Sequence, residues 1–168
     1  YSAVTDTPWA SYRYWMKTIK IGGNVTKVGN NAFNGCTALN KVIIDSGVKT
    51  IGNYTFFDCT TLSAVLIPSS VTSIGTQAFG FRTTNGSTTL INGFKLYGYA
   101  NSGAVTYAQN NLVEYEIATT GGNYNNITEI NTINNDNIPI GTCGTSAIWK
   151  YNTSTYELTI GGSGAMDD

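Results

Sequence analysis

Val25-Thr-Lys-Val28-Gly29 returns as Val48-Lys-Thr-Ile51-Gly52 and again as Val71-Thr-Ser-Ile74-Gly75, so one pattern recurs every 23 residues. The same spacing relates further apolar positions, namely Phe33, Phe56 and Phe79; Cys36 and Cys59; Leu39 and Leu62; Val42 and Val65; and Ile21, Ile44 and Ile67. A fixed period of this length is the sequence signature of a repeat architecture. The chain is therefore predicted to contain a short array of stacked repeats.

Each repeat carries one alternating apolar run, Leu39-x-x-Val42-x-Ile44 in the first clear copy and Leu62-x-x-Val65-x-Ile67 in the next. Alternate side chains of a strand point to the same face, so these residues should point inward and their neighbours Lys41 and Ile43 outward. Stacking then sets each inward side chain on its counterpart in the next coil. Full burial of one large apolar side chain is worth about 1.5–3 kcal/mol, so the stacked positions form the predicted core.

Two features are expected between the strands. Gly29, Gly52 and Gly75 should lie at corners, where glycine permits a positive φ. The Ala-Phe-x-x-Cys stretch should form one helical turn on the side opposite the strand.

Two segments resemble a known class of repeats. Residues 24–36 (Asn-Val-Thr-Lys-Val-Gly-Asn-Asn-Ala-Phe-Asn-Gly-Cys) and 62–79 are similar to the BspA-like leucine-rich repeats of secreted and surface proteins of bacteria and some protists. The resemblance covers about residues 9–117. It implies a mainly β fold, a short leucine-rich-repeat solenoid, in a protein that is extracellular or held at the cell surface and adheres to other proteins.

The last repeat departs from the pattern. Arg82 stands where earlier repeats have Cys, and Phe94 and Leu96 come later than the period would place the counterparts of Val65 and Ile67. We therefore expect a six-residue insertion, formed by the polar stretch 83–89, to bulge from the last coil.

Residues 94–117 are predicted to form a C-terminal cap of the array. Ser102 can N-cap a short helix that runs through Gln109, and a strand at 112–117 follows. The apolar side of this helix would consist of Ala104, Val105, Tyr107 and Ala108. A cap of this kind closes the otherwise open end of a repeat array.

The remainder predicts a linker and a small second module. Residues 118–139 are polar and rich in Asn, which indicates a connection between the repeat region, 1–117, and a module at 140–168. Two alternating runs, 147–151 and 155–160, flank Asn152-Thr-Ser and predict a β-hairpin. Because a lone hairpin is marginally stable in water, this module needs a surface to pack against.

The two ends suggest that surface. The hairpin module resembles the short β segment that commonly precedes such arrays and leads into a Thr-Pro-Trp element, which here lies at the opposite end of the chain. Residues expected to make this assembly contact are Pro8, Trp9, Trp149, Tyr156 and Met166. Either the chain is cut from a tandem array, or the tail of one molecule docks on the head of a following copy as a head-to-tail homo-polymer, or the boundary has no meaning.

Charge and composition restrict the classes of molecule that the chain is expected to bind. Residues 1–95 carry eight Lys or Arg against three Asp or Glu, whereas residues 96–168 carry one against seven, which favours contact between opposite ends. The net charge of −1 argues against nucleic acid, because phosphate binding needs a basic surface. No apolar run approaches the roughly 18 residues of a membrane span. Proteins are the expected partners.

The types of residue present also argue against enzyme activity. The chain has no His, which excludes Ser-His-Asp and Cys-His mechanisms and His-based zinc sites. The remaining carboxylate pairs, such as Glu114 and Glu116, are expected to be surface charges. We therefore expect no enzyme activity, no cofactor and no metal. Cys36 and Cys59 occupy equivalent positions and are either bridged or, more simply, two buried thiols.

The outward side of the strands is the candidate binding site. The period aligns one column, Lys20, Ile43 and Leu66, continued by Lys95, beside a second column, Thr18, Lys41, Ala64 and Gly93. Two exposed aliphatic residues among lysines would suit a protein with acidic edges, since apolar patches rimmed by charge mark interfaces. Ordinary surface composition is the alternative.

Two functions follow from the sequence. The first is an extracellular protein-binding or adhesion module that uses the outer strand face. The second is a structural subunit of an extracellular fibre or tandem array assembled head to tail.

Overall fold

The computed structural model describes residues 4–22, 24–119, 140–142, 147–162 and 164–165, and over these residues the fold is mainly β. Two 3-10 turns, Val4–Asp6 and Ala10–Tyr12, precede the first strand. The elements that follow are β1 (Thr18–Ile21), β2 (Val25–Val28), β3 (Lys41–Ile44), β4 (Thr50–Ile51), β5 (Ala64–Ile67), β6 (Ser73–Ile74), β7 (Phe81–Thr84), β8 (Ser87–Leu90), β9 (Lys95–Gly98), α1 (Gly103–Asn111), β10 (Glu114–Ile117), β11 (Ile140–Thr142), β12 (Ala147–Asn152), β13 (Glu157–Gly162) and β14 (Gly164–Ala165).

The first three repeats each contribute one strand to each of two parallel sets. In the first set β1 pairs with β3, β3 lies beside β5, and β5 pairs with β9, which pairs with β10. In the second set β2, β4 and β6 pair in that order. Ile19 lies opposite Val42 in the first set, and Ile51 lies opposite Ile74 in the second. Both pairs are one sequence period apart, so the period is the step from one coil to the next.

The side opposite β3 and β5 also pairs with the next coil. The amides of Asn31, Phe33 and Gly35 donate to the carbonyl oxygens of Asn53, Thr55 and Phe57 at 2.9, 2.8 and 2.8 Å. The prediction of a helical turn at Ala-Phe-x-x-Cys is therefore wrong. Alternate amides point to the neighbouring coil, which leaves them unable to bond within a helix. Short turns, such as the bond from Cys36 N to Phe33 O at 3.3 Å, take its place.

An aromatic column runs through the centre of the core. The rings of Phe33 and Phe56 are stacked at 5.0 Å, and those of Phe56 and Phe79 at 4.8 Å. Trp9 extends the column at one end, 5.4 Å from Phe33, and Tyr107 closes the other end, edge-on to Phe79 at 6.4 Å. The predicted stacking of these positions is confirmed.

The repeated glycines have a different role from the one expected. Gly29, Gly52 and Gly75 do not have a positive φ, which occurs instead at Asn31, Tyr54 and Gln77. A Cβ on Gly52 would lie 2.6 Å from Asn30 N and 2.7 Å from Gly29 C, and one on Gly75 would meet the backbone of Gly52 and Asn53 in the preceding coil equally closely. Glycine is required at these two positions because the backbones of adjacent coils touch.

The insertion in the last coil is longer than predicted. Val65 lies opposite Leu96, whereas the sequence aligned Val65 with Phe94, so the predicted length of the insertion is wrong by two residues. The extra residues form an antiparallel hairpin of β7 and β8 around Asn85 and Gly86, a turn sequence in which both residues have φ above zero. Pairing across the hairpin, and not apolar periodicity, sets its extent.

A helix, α1, is present where the sequence predicted one. Its buried residues are Ala104, Val105, Tyr107 and Ala108. Ser102 occupies the N-cap position with extended backbone, but its hydroxyl makes no capping bond. The helix continues to Asn111 and ends at Leu112, which has the left-handed conformation.

The predicted hairpin is present and lies against the opposite end of the same chain. β12 and β13 are antiparallel, and β13 continues the sheet by pairing in parallel with β1, so that Ile19 lies opposite Leu158. β14 pairs with β2 on the other side of the coil. Trp149, Tyr151, Leu158 and Ile160 are buried against the first repeat.

Candidate functional site

The strand pairing defines an outer face, formed by the outward side chains of β13, β1, β3, β5, β9 and β10. Pairing aligns Glu157, Thr18 and Lys41, and it aligns Ala64, Lys95 and Glu114; the repeat period joins these two rows into a first column. The second column joins Thr159, Lys20 and Ile43 to Leu66, Tyr97 and Glu116 in the same way. Lys95 therefore continues the column of Lys41 and Ala64. Its predicted place beyond Leu66 is wrong, because the longer insertion shifts the register of β9 by two residues and sets Tyr97 there.

Ile43 and Leu66 are not the exposed aliphatic residues that the sequence predicted. Ile43 is 1 % exposed and Leu66 is 7 % exposed. Side chains directly opposite one another in a sheet are only about 5 Å apart, so large neighbours shield each other. Lys20 lies opposite Ile43, and Tyr97 lies opposite Leu66. The two residues form an apolar floor of the outer face, and their role in binding stays a prediction.

Two of the three predicted lysines are neutralised by carboxylates from the acidic half of the chain. Lys20 Nζ lies 3.1 Å from Glu157 Oε1. Lys95 Nζ lies 3.0 Å from Glu114 Oε1 and 3.7 Å from Glu116 Oε2. The hydrogen bond to Glu114 raises the pKa of Lys95 above its usual value. Basic residues of the first half of the sequence and acidic residues of the second half therefore pair within one chain, at both edges of the outer face.

Lys41 occupies the centre of the outer face and differs from the other two lysines. Among the described residues it has no carboxylate within ion-pair distance. Ala64 lies next to it on β5 and is small and half-buried. The centre of the face therefore presents one positive charge above a flat apolar floor, between two neutralised ends.

The predicted assembly residues fall into different environments. Trp9 is fully buried, with its Nε1 donating to Ala32 O at 2.8 Å, and its ring meets the edge of Trp149 at 6.4 Å. Pro8 and Tyr156 are exposed. Met166 lies outside the described residues. The structure therefore brings Trp9 and Trp149 together, within one chain.

The cysteines of adjacent repeats are free thiols. Cys36 and Cys59 are both buried, and Cys59 Sγ lies 3.2 Å from Phe33 O. Burial raises the pKa of Cys59 well above its ordinary value. They pack as small apolar residues between the coils, while Cys143 lies outside the described residues.

One cluster of exposed residues escaped the sequence analysis. Tyr14 is 57 % exposed and Trp15 is 51 % exposed, which is unusual for such large aromatic side chains. Arg13 Nη2 donates to Tyr14 Oη at 2.7 Å, with its guanidinium 4.4 Å above the ring. The signal was available, since residues 12–15 read Tyr-Arg-Tyr-Trp just before the first strand.

Reactive groups do not converge in the part of the chain that is described. A polar groove of about 410 Å³ lies between β6 and α1, and its walls are mainly Ser, Thr and Asn with no carboxylate, Lys or Arg. No group of three or more His, Cys, Asp or Glu among these residues is placed to hold a metal ion. No helix among them is long and apolar enough to cross a membrane.

Comparison with known proteins identifies the repeats. Residues 11–116, more than half of the chain, match the family model of the BspA type leucine rich repeat region, in six copies. No curated protein and no solved structure matches the chain. The matched residues begin in the turn before β1 and end in β10, so they include every parallel strand of the repeats. The chain belongs to the BspA-type leucine-rich-repeat family.

Proposed function

We propose that this chain is an extracellular protein-binding module of a surface protein, and that it adheres through the outer face. In this proposal residues 1–117 form a leucine-rich-repeat solenoid, 118–139 a linker and 140–168 a hairpin module. Repeat arrays of stacked coils present extended surfaces that suit protein partners. Membership of the BspA-type family supports protein binding and a surface location.

One observation carries the choice of the outer face: Lys41 lies two residues before the buried Ile43 on β3, and the adjacent β5 carries the buried Leu66. The flanking lysines are held in place by Glu157 and Glu114. A partner with a carboxylate beside a flat apolar patch would pair with Lys41 and cover Ala64. Lys20, Ile43, Leu66 and Lys95 would then position this contact instead of making it.

The same proposal assigns α1 to the C-terminal cap of the solenoid. Tyr107 replaces the stacked Phe of earlier coils with an edge-on ring, which ends the column. Its hydroxyl bonds both backbone groups of Phe79. A further coil could not stack on a ring in this orientation.

The test is retention of a partner by the immobilised chain. Ile43 and Leu66 are unsuitable targets because a charge in either buried position would destabilise the fold. Lys41→Glu with Ala64→Glu reverses the charge of the centre without touching the core. A surface protein retained by the wild type should be lost from this double variant and kept by the control Lys49→Glu, which is exposed elsewhere. Equal retention by both variants would remove the outer face from the proposal.

The second candidate is a structural subunit that assembles head to tail. Its support is the parallel pairing of β13 with β1, which joins the two ends of the sequence. Residues 118–139 can reach at most about 70 Å, at about 3.3 Å each, whereas β10 and β11 are separated by seven strand steps of about 4.8 Å. The connection therefore suffices for closure within one chain. An identical hairpin from a second copy would fit the same head, which is the geometry of domain swapping.

Linker length separates these two arrangements. Deleting residues 124–137 leaves too few residues to span the array, so closure within one chain becomes impossible. Light scattering should then show linear oligomers if the hairpin pairs with the head of another copy, while the wild type stays monomeric or oligomerises weakly. A shortened chain that remains monomeric at all concentrations would reject head-to-tail assembly.

A further inference from the structure

The head of the array carries a cluster of aromatic and basic residues that takes no part in the core or in the outer face. We name as the head patch Arg13, Tyr14, Trp15, Lys17 and Tyr156. Tyr14, Trp15 and Tyr156 are 57, 51 and 39 % exposed. Arg13, Tyr14, Trp15 and Lys17 lie just before β1, and Tyr156 lies just before β13, the strand that pairs with β1. Lys17 N donates to Tyr156 O at 2.8 Å. Two segments distant in sequence thus build one surface.

The basic side chains of the head patch are held against aromatic rings. The Arg13 guanidinium lies 4.4 Å from the centre of the Tyr14 ring and is also bonded to Tyr14 Oη. Arg13 Nη1 donates to Ala10 O at 3.3 Å. Lys17 Nζ lies 4.8 Å from the centre of the Tyr156 ring. Contacts of this kind fix long side chains before a partner arrives, which lowers the entropy lost on binding.

The charge of the head patch is not compensated. Arg13 and Lys17 have no carboxylate within ion-pair distance among the described residues, unlike Lys20, which is paired with Glu157 on the adjacent strand β13. The patch therefore combines two positive charges with three exposed rings. Trp, Tyr and Arg are the residue types that contribute most to binding energy at protein interfaces.

We propose that the head patch binds an acidic, partly apolar protein segment, with its carboxylates at Arg13 and Lys17 and its apolar side chains on Trp15. A cation lies against one face of Tyr14 and of Tyr156, so positive charge stands directly beside the exposed rings. Two positive charges beside exposed rings suit a segment that combines carboxylates with apolar side chains. The proposal rests on the proposed protein-binding function but uses a surface separate from the outer face.

The test uses Trp15 as its own reporter. The chain has three Trp, of which Trp9 and Trp149 are 0 and 7 % exposed, so quenching by acrylamide reports on Trp15. The probe is a synthetic ten-residue peptide of alternating Asp and Leu. The Asp-Leu peptide should reduce the quenching of Trp15 fluorescence by acrylamide and shift the Trp15 emission to shorter wavelength. A Lys-Leu peptide of the same length should do neither. Absence of protection by the Asp-Leu peptide overturns the proposal.

Matched variants locate the site by calorimetry with the same peptide. Trp15→Ala should weaken binding about 30-fold or more, and Leu112→Ala, which removes a more exposed apolar side chain elsewhere, should not. Lys17→Ala should weaken binding about 5-fold, and Lys49→Ala should leave it unchanged. Equal effects of the two lysines would mean non-specific attraction and reject the site.

Two further arms separate the alternatives. Hyaluronan, an acidic polysaccharide, should bind more weakly than the peptide, and stronger binding would reject a protein segment as the ligand class. The double variant Lys41→Glu with Ala64→Glu should bind the peptide as the wild type does. If that variant alone loses the peptide, the head patch fails and the outer face of the proposed function stands.

Discussion

Tyr107 Oη donates a hydrogen bond to Phe79 O at 2.8 Å and accepts one from Phe79 N at 2.9 Å, while the two rings meet edge-on. One hydroxyl therefore satisfies both backbone groups of a buried residue. In the preceding coils the corresponding amide bonds to the next coil, as Phe56 N does to Ala78 O at 2.9 Å. Tyr107 thus supplies, from a helix, an acceptor of the kind that the next coil supplies to the amides of Phe33 and Phe56.

Tyr107→Phe should be destabilising, because it leaves the buried amide and carbonyl of Phe79 without this partner. Leaving buried polar groups unsatisfied costs about 1–3 kcal/mol. Tyr115→Phe is the matched control, since Tyr115 is 37 % exposed and its hydroxyl accepts only an exposed bond from Gln109. Urea denaturation should show a lower free energy of unfolding for the first variant and little change for the second. Equal values would refute a closing role for this hydroxyl.

The same residue predicts sensitivity to alkaline pH. Burial raises the pKa of Tyr107 to about 12, above its ordinary value of 10.0. A group whose pKa is higher in the folded state contributes stability that is complete below its unfolded pKa and is lost as the pH rises through the folded pKa. Stability should therefore decline between about pH 10 and 12, by up to about 3 kcal/mol from this residue.

Denaturation midpoints measured from pH 8 to 11.5 would test this decline. Tyr107→Phe should make it shallower, and absorbance at alkaline pH should show one fewer late-ionising tyrosine in the variant than in the wild type. A decline that is unchanged in the variant would assign the effect to other groups, such as Tyr151 or Cys59, whose pKa values burial also raises.

The glycine at each coil junction predicts a steric effect. Gly52→Ala would place a Cβ 2.6 Å from a backbone nitrogen of the neighbouring coil, and this backbone cannot move without disturbing the ladder. Overpacking of this kind costs about 1–3 kcal/mol, and often more against backbone. Gly161→Ala is the control, because a Cβ there meets nothing within 4 Å. Thermal unfolding should separate the two variants, and similar midpoints would contradict close packing at Gly52.

The repeat period predicted the features that depend on stacking identical positions. It gave the inward residues of the parallel strands and the column of Phe33, Phe56 and Phe79, because each buried side chain recurs at the coil step. It misread Gly52, since a small residue at a junction has the same sequence pattern whether the cause is a positive φ or contact between backbones. Only the distance to Asn30 N decides between them.

The sequence predicted less of the candidate site. The exposed fraction of an outward side chain depends on its neighbours in adjacent strands, and the alternation of apolar and polar residues does not specify those neighbours. The outward direction of Ile43 is correct, but its burial depends on what lies around it on the same face. The register of Lys95 was mispredicted because the hairpin of β7 and β8 is polar, so no pattern of apolar residues shows how long the hairpin is. Tyr156 joins Lys17 from a distant segment, and no local pattern encodes that contact.

Docking of the hairpin should depend on Trp149, whose ring contacts Trp9 at 6.4 Å and Tyr12 at 6.2 Å. Truncating a buried Trp costs about 3–5 kcal/mol, a large part of what can hold so small a module. In Trp149→Ala the hairpin should therefore detach more often from β1. The amides of Lys17, Thr18 and Gly22, which donate to Tyr156 O or Ile160 O, would then lose protection from solvent exchange.

Hydrogen exchange measured by mass spectrometry can localise this loss. Peptides that span 17–22 should exchange about 10-fold faster or more in Trp149→Ala, whereas peptides that span 95–98 should exchange as in the wild type, because local opening at the head leaves the last coils paired. Ile148→Ala is the matched control, since Ile148 lies on the same strand and is 42 % exposed. Faster exchange over the whole array would instead mean that the coils unfold as one unit, so that the hairpin is as essential to the core as the repeats themselves.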